Sequence, residues 1–219
     1  MRRNISRTNL KLPDEASLIR GLATIYTVGI VGHLVPLTLP LMKWLTPFIL
    51  LISGLMVLLP LRKEQPIIFW IWCAGVFLIT FVIEVAGVAT GAVFGSYEYE
   101  STLGPELWSV PPLIGWNWLL IILGAIGMSQ WIKRPALFSL FVGMLVVLLD
   151  FFLEPVAARL DYWEWQSLDI PLQNYLAWFS IGVLSAVVFR ILKLDLKSRI
   201  PRSYFAIQLI FFIVLRLFL

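Results

Sequence analysis

Seven long apolar runs follow one another along this chain, with only short polar stretches between most of them. They cover about 21–40, 44–60, 67–93, 113–131, 136–155, 172–192 and 204–219. A helix needs ~20 apolar residues to cross the ~30 Å of hydrocarbon in a bilayer, and the runs approach or exceed that length, the second and last being short. They are continuous rather than alternating, which favours helices over the strands of a barrel. Charged residues make up 14% of the chain, against roughly 25% in soluble domains, too few to coat a water-facing surface. The expected fold is an all-α, polytopic membrane helix bundle of about seven transmembrane helices. Residues 1–20 are expected to form a polar cytoplasmic N-terminus, and 21–219 a single transmembrane domain.

Basic residues give the expected orientation. With the N-terminus cytoplasmic, the inner segments hold Arg2, Arg3, Arg7, Lys11, Arg20, Arg62, Lys63, Lys133, Arg134, Arg190, Lys193, Lys197, Arg199 and Arg202, 14 of the 17 Lys and Arg. Lys43, Arg159 and Arg216 fall toward the outside. The chain is therefore expected to be a multi-pass protein of the cytoplasmic (cell) membrane. Its net charge of +4 follows from this topology, and no basic-aromatic motif points to nucleic acid. The first twenty residues are polar and no small-x-small site follows the first run, so a cleavable signal is not expected. Cys73 stands alone in mid-membrane, the place of a small buried apolar residue rather than of a disulfide or zinc ligand.

Charges inside a membrane are costly and usually functional. Glu84, Asp150 and Glu154 lie within the runs, all in the outer half. Asp150 and Glu154 are spaced i, i+4 and share a helix face. His33, the single histidine, sits in the outer half of the first run; Asn117 and Asn174 sit early in the fourth and sixth. Outer loops add Tyr97, Glu98, Tyr99, Glu106, Trp108, Asp161, Tyr162, Trp163, Glu164 and Trp165. Polar residues from five runs are thus expected at one depth on one side. Three unneeded buried carboxyls would be a heavy cost, although Asp150 and Glu154 could instead pair with Arg159 at the interface.

A faint repeat runs through the same region. Glu84 precedes Glu98 by fourteen residues, and Asp150 precedes Glu164 by fourteen. Both later glutamates sit between aromatics, Tyr97-Glu98-Tyr99 and Trp163-Glu164-Trp165. Pro111 then leads to Asn117, and Pro171 to Asn174. Runs three–four and five–six therefore read as parallel copies of one hairpin, an arrangement that places sites at the interface of the copies. Gly87, Gly91 and Gly95 stand four apart on the third run. They suit close helix packing or a smooth groove for a flat lipid.

One histidine is too few for zinc hydrolysis; no serine elbow, HExxH or Gly-rich phosphate loop is present, and haem and iron–sulfur ligands are lacking. Acid–base chemistry on an apolar substrate remains. A carboxyl sheltered from water can hold its proton at neutral pH and protonate an electron-rich alkene. Aromatic faces can stabilise the resulting cation, and a second carboxylate can take a proton from attacking water. These parts serve alkene hydration, isomerisation or cyclisation.

The chain resembles the membrane carotenoid 1',2'-hydratases of bacteria, which are similar to the haloarchaeal bisanhydrobacterioruberin hydratases. The matching pieces are Glu84 with Gly87 and Gly91, Gly95-Ser96-Tyr97-Glu98-Tyr99, Leu103-Gly104-Pro105, Val110-Pro111 and Trp116-Asn117-Trp118. Next come Asp150-Phe151-Phe152-Leu153-Glu154-Pro155, Tyr162-Trp163-Glu164-Trp165, Ile170-Pro171-Leu172-Gln173-Asn174-Tyr175 and Trp178. They cover about residues 70–180. The family often has Asp-Pro where this chain has Glu154-Pro155, and Gly-Val-Pro where it has Asp169-Ile170-Pro171. The resemblance implies cofactor-free addition of water to the terminal C1'=C2' bond of a linear carotenoid end. It implies a carotenoid and membrane lipid as partners, with other carotenoid biosynthesis enzymes as candidate neighbours. On this reading Asp150 or Glu84 donates the proton and Glu154 orients water. Tyr97, Trp163 and Trp165 line the cation, Asn117 and Asn174 position water or a carboxyl, and His33 and Tyr99 complete the substrate site. No metal is expected. The competing expectations are a carotenoid cyclase, a membrane prenyltransferase (Asp150-x-x-x-Glu154 is faintly like its acidic motif) and a carotenoid-binding or transport protein without activity.

Overall fold

Seven helices, each long and apolar enough to cross a membrane, build the computed structural model of the chain, which describes residues 13–167 and 169–219. The expected cytoplasmic segment 1–20 falls largely outside them, with Arg2, Arg3, Arg7 and Lys11. The helices are α1 (Glu15–Leu34), α2 (Leu39–Leu61), α3 (Ile67–Thr90), α4 (Pro112–Ser129), α5 (Pro135–Arg159), α6 (Leu172–Ile191) and α7 (Ile200–Phe218). Two short strands, β1 (Tyr97–Tyr99) and β2 (Trp163–Trp165), lie in the α3–α4 and α5–α6 connections.

The ends of several helices differ from the apolar runs for local reasons. The Asp14 side chain accepts the Ser17 N–H at 2.7 Å and caps α1, so the helix starts within a polar stretch. It stops at Leu34 because Val35, preceding Pro36, is extended. The first turn between helices therefore lies at 35–38, and Lys43, expected in an outer loop, stands inside α2. There it pairs with Asp161 of the α5–α6 connection. Helix α7 begins at Ile200 rather than 204, with proline in its first turn. Hydropathy locates the part of a helix that suits lipid, whereas caps and prolines decide where its hydrogen bonds begin and end.

Helix α4 is the axis of the bundle, with 83% of its residues buried, and α2, α3, α5, α6 and α7 all pack on it. Small residues permit the approach. A Cβ added at Gly124 would stand 2.7 Å from the Phe205 Cβ and 2.9 Å from the Pro201 carbonyl of α7.

The three expected packing glycines of the third run do something else. Gly87 leaves room for the Phe94 ring of the following loop. Gly91 ends α3 in a left-handed conformation, φ 65°, with its N–H on the Gly87 carbonyl at 2.8 Å. Gly95 (φ 112°) lies past the helix, against Pro171 and Trp165. The face of Gly87 is filled by the protein's own phenyl ring and so offers no groove to a lipid.

The two strands pair antiparallel, Tyr97 with Trp165, Glu98 with Glu164 and Tyr99 with Trp163. Bonds from Glu100 N–H to the Tyr162 carbonyl and from Gln166 N–H to the Ser96 carbonyl, both 3.0 Å, extend the ribbon. It joins the two hairpins of the bundle over the end opposite most of the basic residues.

Candidate functional site

Period-2 alternation in the strands turns the central Glu98 and Glu164 outward and the flanking aromatics inward. Beneath the ribbon, three carboxyls project from the helices, each 3% exposed or less. Glu84 of α3 accepts the hydroxyls of Tyr97 and Tyr99 on one oxygen, the latter at 2.9 Å, and the Trp118 indole N–H at 3.2 Å on the other. Glu154 of α5 accepts the indole N–H groups of Trp163 (3.0 Å) and Trp165 (2.8 Å) on one oxygen. Its other oxygen takes the Asn174 amide at 3.1 Å. The same amide nitrogen donates to Asp150 Oδ2 at 2.8 Å, and Asp150 Oδ1 is buried without a partner.

The i, i+4 spacing of Asp150 and Glu154 therefore places both acids on one amide, that of Asn174. Their partners are neutral, and Arg159 is not among them. Arg216, near the C-terminal end of α7, instead lies over the Phe151 ring at 4.1 Å and donates to the Phe151 carbonyl at 2.6 Å. Burial, and then the neighbouring Glu84, push the Tyr97 and Tyr99 phenols well above their ordinary range, so both remain O–H donors.

A void of about 10 Å³ lies among these groups, lined by Glu84, Tyr97, Tyr99, Glu154, Trp163, Trp165 and Asn174 with Phe94, Trp118 and Trp178. This is the lower limit for one water molecule. Trp178 stacks on Trp118 with ring centroids 3.3 Å apart and on Phe94 at 5.2 Å.

Two expected members of the cluster are elsewhere. His33 and Asn117 line a larger, mostly apolar cavity of about 280 Å³ between α1, α2, α4 and α7. Asn117 Oδ1 accepts from Gln208 of α7 at 3.2 Å rather than serving a carboxyl. A residue one step along a helix turns by about 100°, so Asn117 and Trp118 face different sites. Trp163 and Leu153 line the large cavity too, so the Trp163 ring is a wall common to both spaces.

Trp118, Trp178, Phe94 and Gln208 had no expected role. A signal for two of them was present: Trp118 lies seven residues after Pro111, and Trp178 seven after Pro171. That spacing matches the two tryptophans to one another, whereas the sequence repeat pairs Asn117 with Asn174.

Comparison with known proteins agrees with this picture. The sequence profile of the family described as "carotenoid biosynthesis protein" matches residues 45–219. Over 126 residues the chain is 28% identical to the bisanhydrobacterioruberin hydratase of Haloarcula japonica, an alignment covering 51% of this chain and 41% of that protein. The chain thus spans less than half the length of that relative. No solved structure matches it. With four-fifths of its length under the family profile, and seven membrane-length helices around an acid cluster, the chain belongs to the carotenoid biosynthesis protein family.

Proposed function

We propose that the chain is a cofactor-free carotenoid 1',2'-hydratase acting on the linear end of a carotenoid within the cell membrane. The observation that carries this reading is the setting of the three carboxyls. They are buried, held by neutral N–H and O–H donors with no cation among their partners, and set beside an apolar cavity with an aromatic wall. Buried acids without a cation are costly, and the cost is understandable where the acids do chemistry.

In the proposed reaction the π pair of the C1'=C2' bond takes a proton from a carboxyl onto C2', leaving a tertiary cation at C1'. A lone pair of water forms the C1'–O bond, and the extra proton passes from that oxygen to a second carboxylate. The product is a tertiary 1'-hydroxyl, with no net change in oxidation state. Asp150 is one candidate donor, with one oxygen uncommitted, although it lines neither the void nor the large cavity. On this reading Glu154 orients water and accepts its proton, which its position on the water-sized void supports. Glu84 is the alternative donor, more fully bonded by Tyr97, Tyr99 and Trp118. The Tyr97, Trp163 and Trp165 rings supply π-faces to the cation, and Asn174 keeps Asp150 and Glu154 together.

Hydration and cyclisation differ in product mass, since cyclisation adds nothing to the substrate. Expression in a bacterium that makes lycopene or γ-carotene, with mass analysis of its pigments, tests this: the expected product is heavier by one water. The Asp150→Asn variant should lose about 10²–10⁴-fold of that activity, the range ascribed to general acid catalysis. An unchanged pigment mass with the native chain, or full hydration by both Asp150→Asn and Glu84→Gln, would refute the reading. A product of unaltered mass with a new ring would point to a cyclase.

A further inference from the structure

Two residues that line the large cavity each hold a polar atom that nothing among the described residues satisfies. His33 is 6% exposed and Gln208 1%; His33 Nε2 and Gln208 Oε1 are buried without hydrogen-bond partners, and both residues line the cavity. Their chemistry is set by what their other atoms do. His33 Nδ1 lies 2.7 Å from the Gly29 carbonyl. A carbonyl only accepts, so Nδ1 carries the proton and Nε2 of the neutral ring is an acceptor. Edge-on contact with Phe211, at 5.6 Å between centroids, holds the ring. Gln208 spends its NH₂ group on Asn117 Oδ1 (3.2 Å) and the Tyr26 hydroxyl (3.4 Å). Tyr26 in turn donates to Tyr204 at 3.2 Å. The Gln208 side-chain oxygen Oε1 is left as a second free acceptor.

Two unpaired acceptors in an apolar cavity are a net cost to the protein alone. They fit a ligand that is apolar over most of its length and brings O–H donation. We propose that this cavity binds a hydroxyl-bearing apolar chain, whose single O–H donates to one acceptor at a time, His33 Nε2 or Gln208 Oε1. A 150 Å³ cavity accommodates benzene, so about 280 Å³ admits a branched chain of about ten carbons. Trp163 walls both this site and the acid cluster, so a chain carrying a new hydroxyl would meet these acceptors one side chain away from the place where it was made. That the chain is isoprenoid rests on the hydratase reading; recognition of the hydroxyl does not.

Binding without turnover separates the two. The probes are 2,6-dimethyl-2-octanol and its hydrocarbon counterpart 2,6-dimethyloctane, presented to the full chain in detergent and counted by native mass spectrometry. The alcohol should bind up to about tenfold more tightly than the alkane, the effect of one net hydrogen bond. His33→Phe and Gln208→Met together should remove most of that preference, and at least one of them should lower it alone, while the alkane binds as before, which also shows that the variants are folded. Equal binding of the two probes to the native protein would mean that water serves the acceptors, and would overturn the proposal without recourse to any variant. So would an alcohol preference untouched by both substitutions. A protein that prefers the alcohol yet never hydrates a carotenoid would sink the hydratase reading and leave this one standing.

Discussion

Trp163 has two tasks at once. Its N–H holds Glu154 at 3.0 Å, and its ring walls the large cavity. Trp163→Phe keeps a ring and deletes the donor. Loss of one buried hydrogen bond to a carboxyl should cost about 1–3 kcal/mol, read as a lower denaturation midpoint in detergent. Hydration should fall by about tenfold, while binding of the ten-carbon alkane is kept. A variant as active as the native chain would show that Glu154 needs no orientation. The Tyr97 and Tyr99 phenols are pushed up by burial and by Glu84. A phenol that ionises at about pH 10 in the unfolded chain but much later in the folded one favours folding fully below that pH. That contribution declines as pH rises beyond it. The midpoint of unfolding should therefore drop above about pH 10, and drop less in Tyr97→Phe; equal slopes would contradict the role given to this hydroxyl.

Among the elements, the β1–β2 ribbon decides which acids meet. Its pairing is centred on Glu98 and Glu164, the two residues that the fourteen-residue repeat aligns, so in the ribbon the hairpins α3–α4 and α5–α6 meet about a local two-fold. Residues directly opposite in such a pair lie about 4.5–5.5 Å apart at Cα, within disulfide range. The double variant Glu98→Cys with Glu164→Cys should therefore crosslink under mild oxidation, seen as a loss of two mass units and of two reactive thiols. Failure to crosslink would show that the two strands do not pair at these residues. Gly95, at φ 112° and close to Pro171, is the backbone position on which the ribbon entry turns. Gly95→Val combines an unfavourable φ with a steric clash, and should lower the thermal midpoint and the hydration rate together.

At the scale of the molecule the two ends of the bundle differ in kind. One carries Arg62, Lys63, Lys133, Arg134, Lys193 and Lys197 in its turns; the other carries the ribbon and the acid cluster. If the basic end faces the cytoplasm, Ser101→Cys should react with a membrane-impermeant maleimide in intact cells and Lys133→Cys should not, against a background of the buried Cys73. The reverse pattern would invert the orientation. Class, span number and the separation of basic from acidic ends were legible in the chain alone, because lipid imposes length and polarity on every spanning segment whatever its neighbours are. So was the shared face of Asp150 and Glu154, which needs only helical geometry. Tertiary structure alone decided that Glu84 belongs to the tyrosines and Trp118, that Asn117 faces Gln208 rather than an acid, and that His33 opens on a separate cavity. Those assignments depend on how each helix is rotated about its axis. In a chain apolar on nearly every face that rotation is set by side-chain packing and by the strand pairing between distant loops, neither of which leaves a period in the sequence.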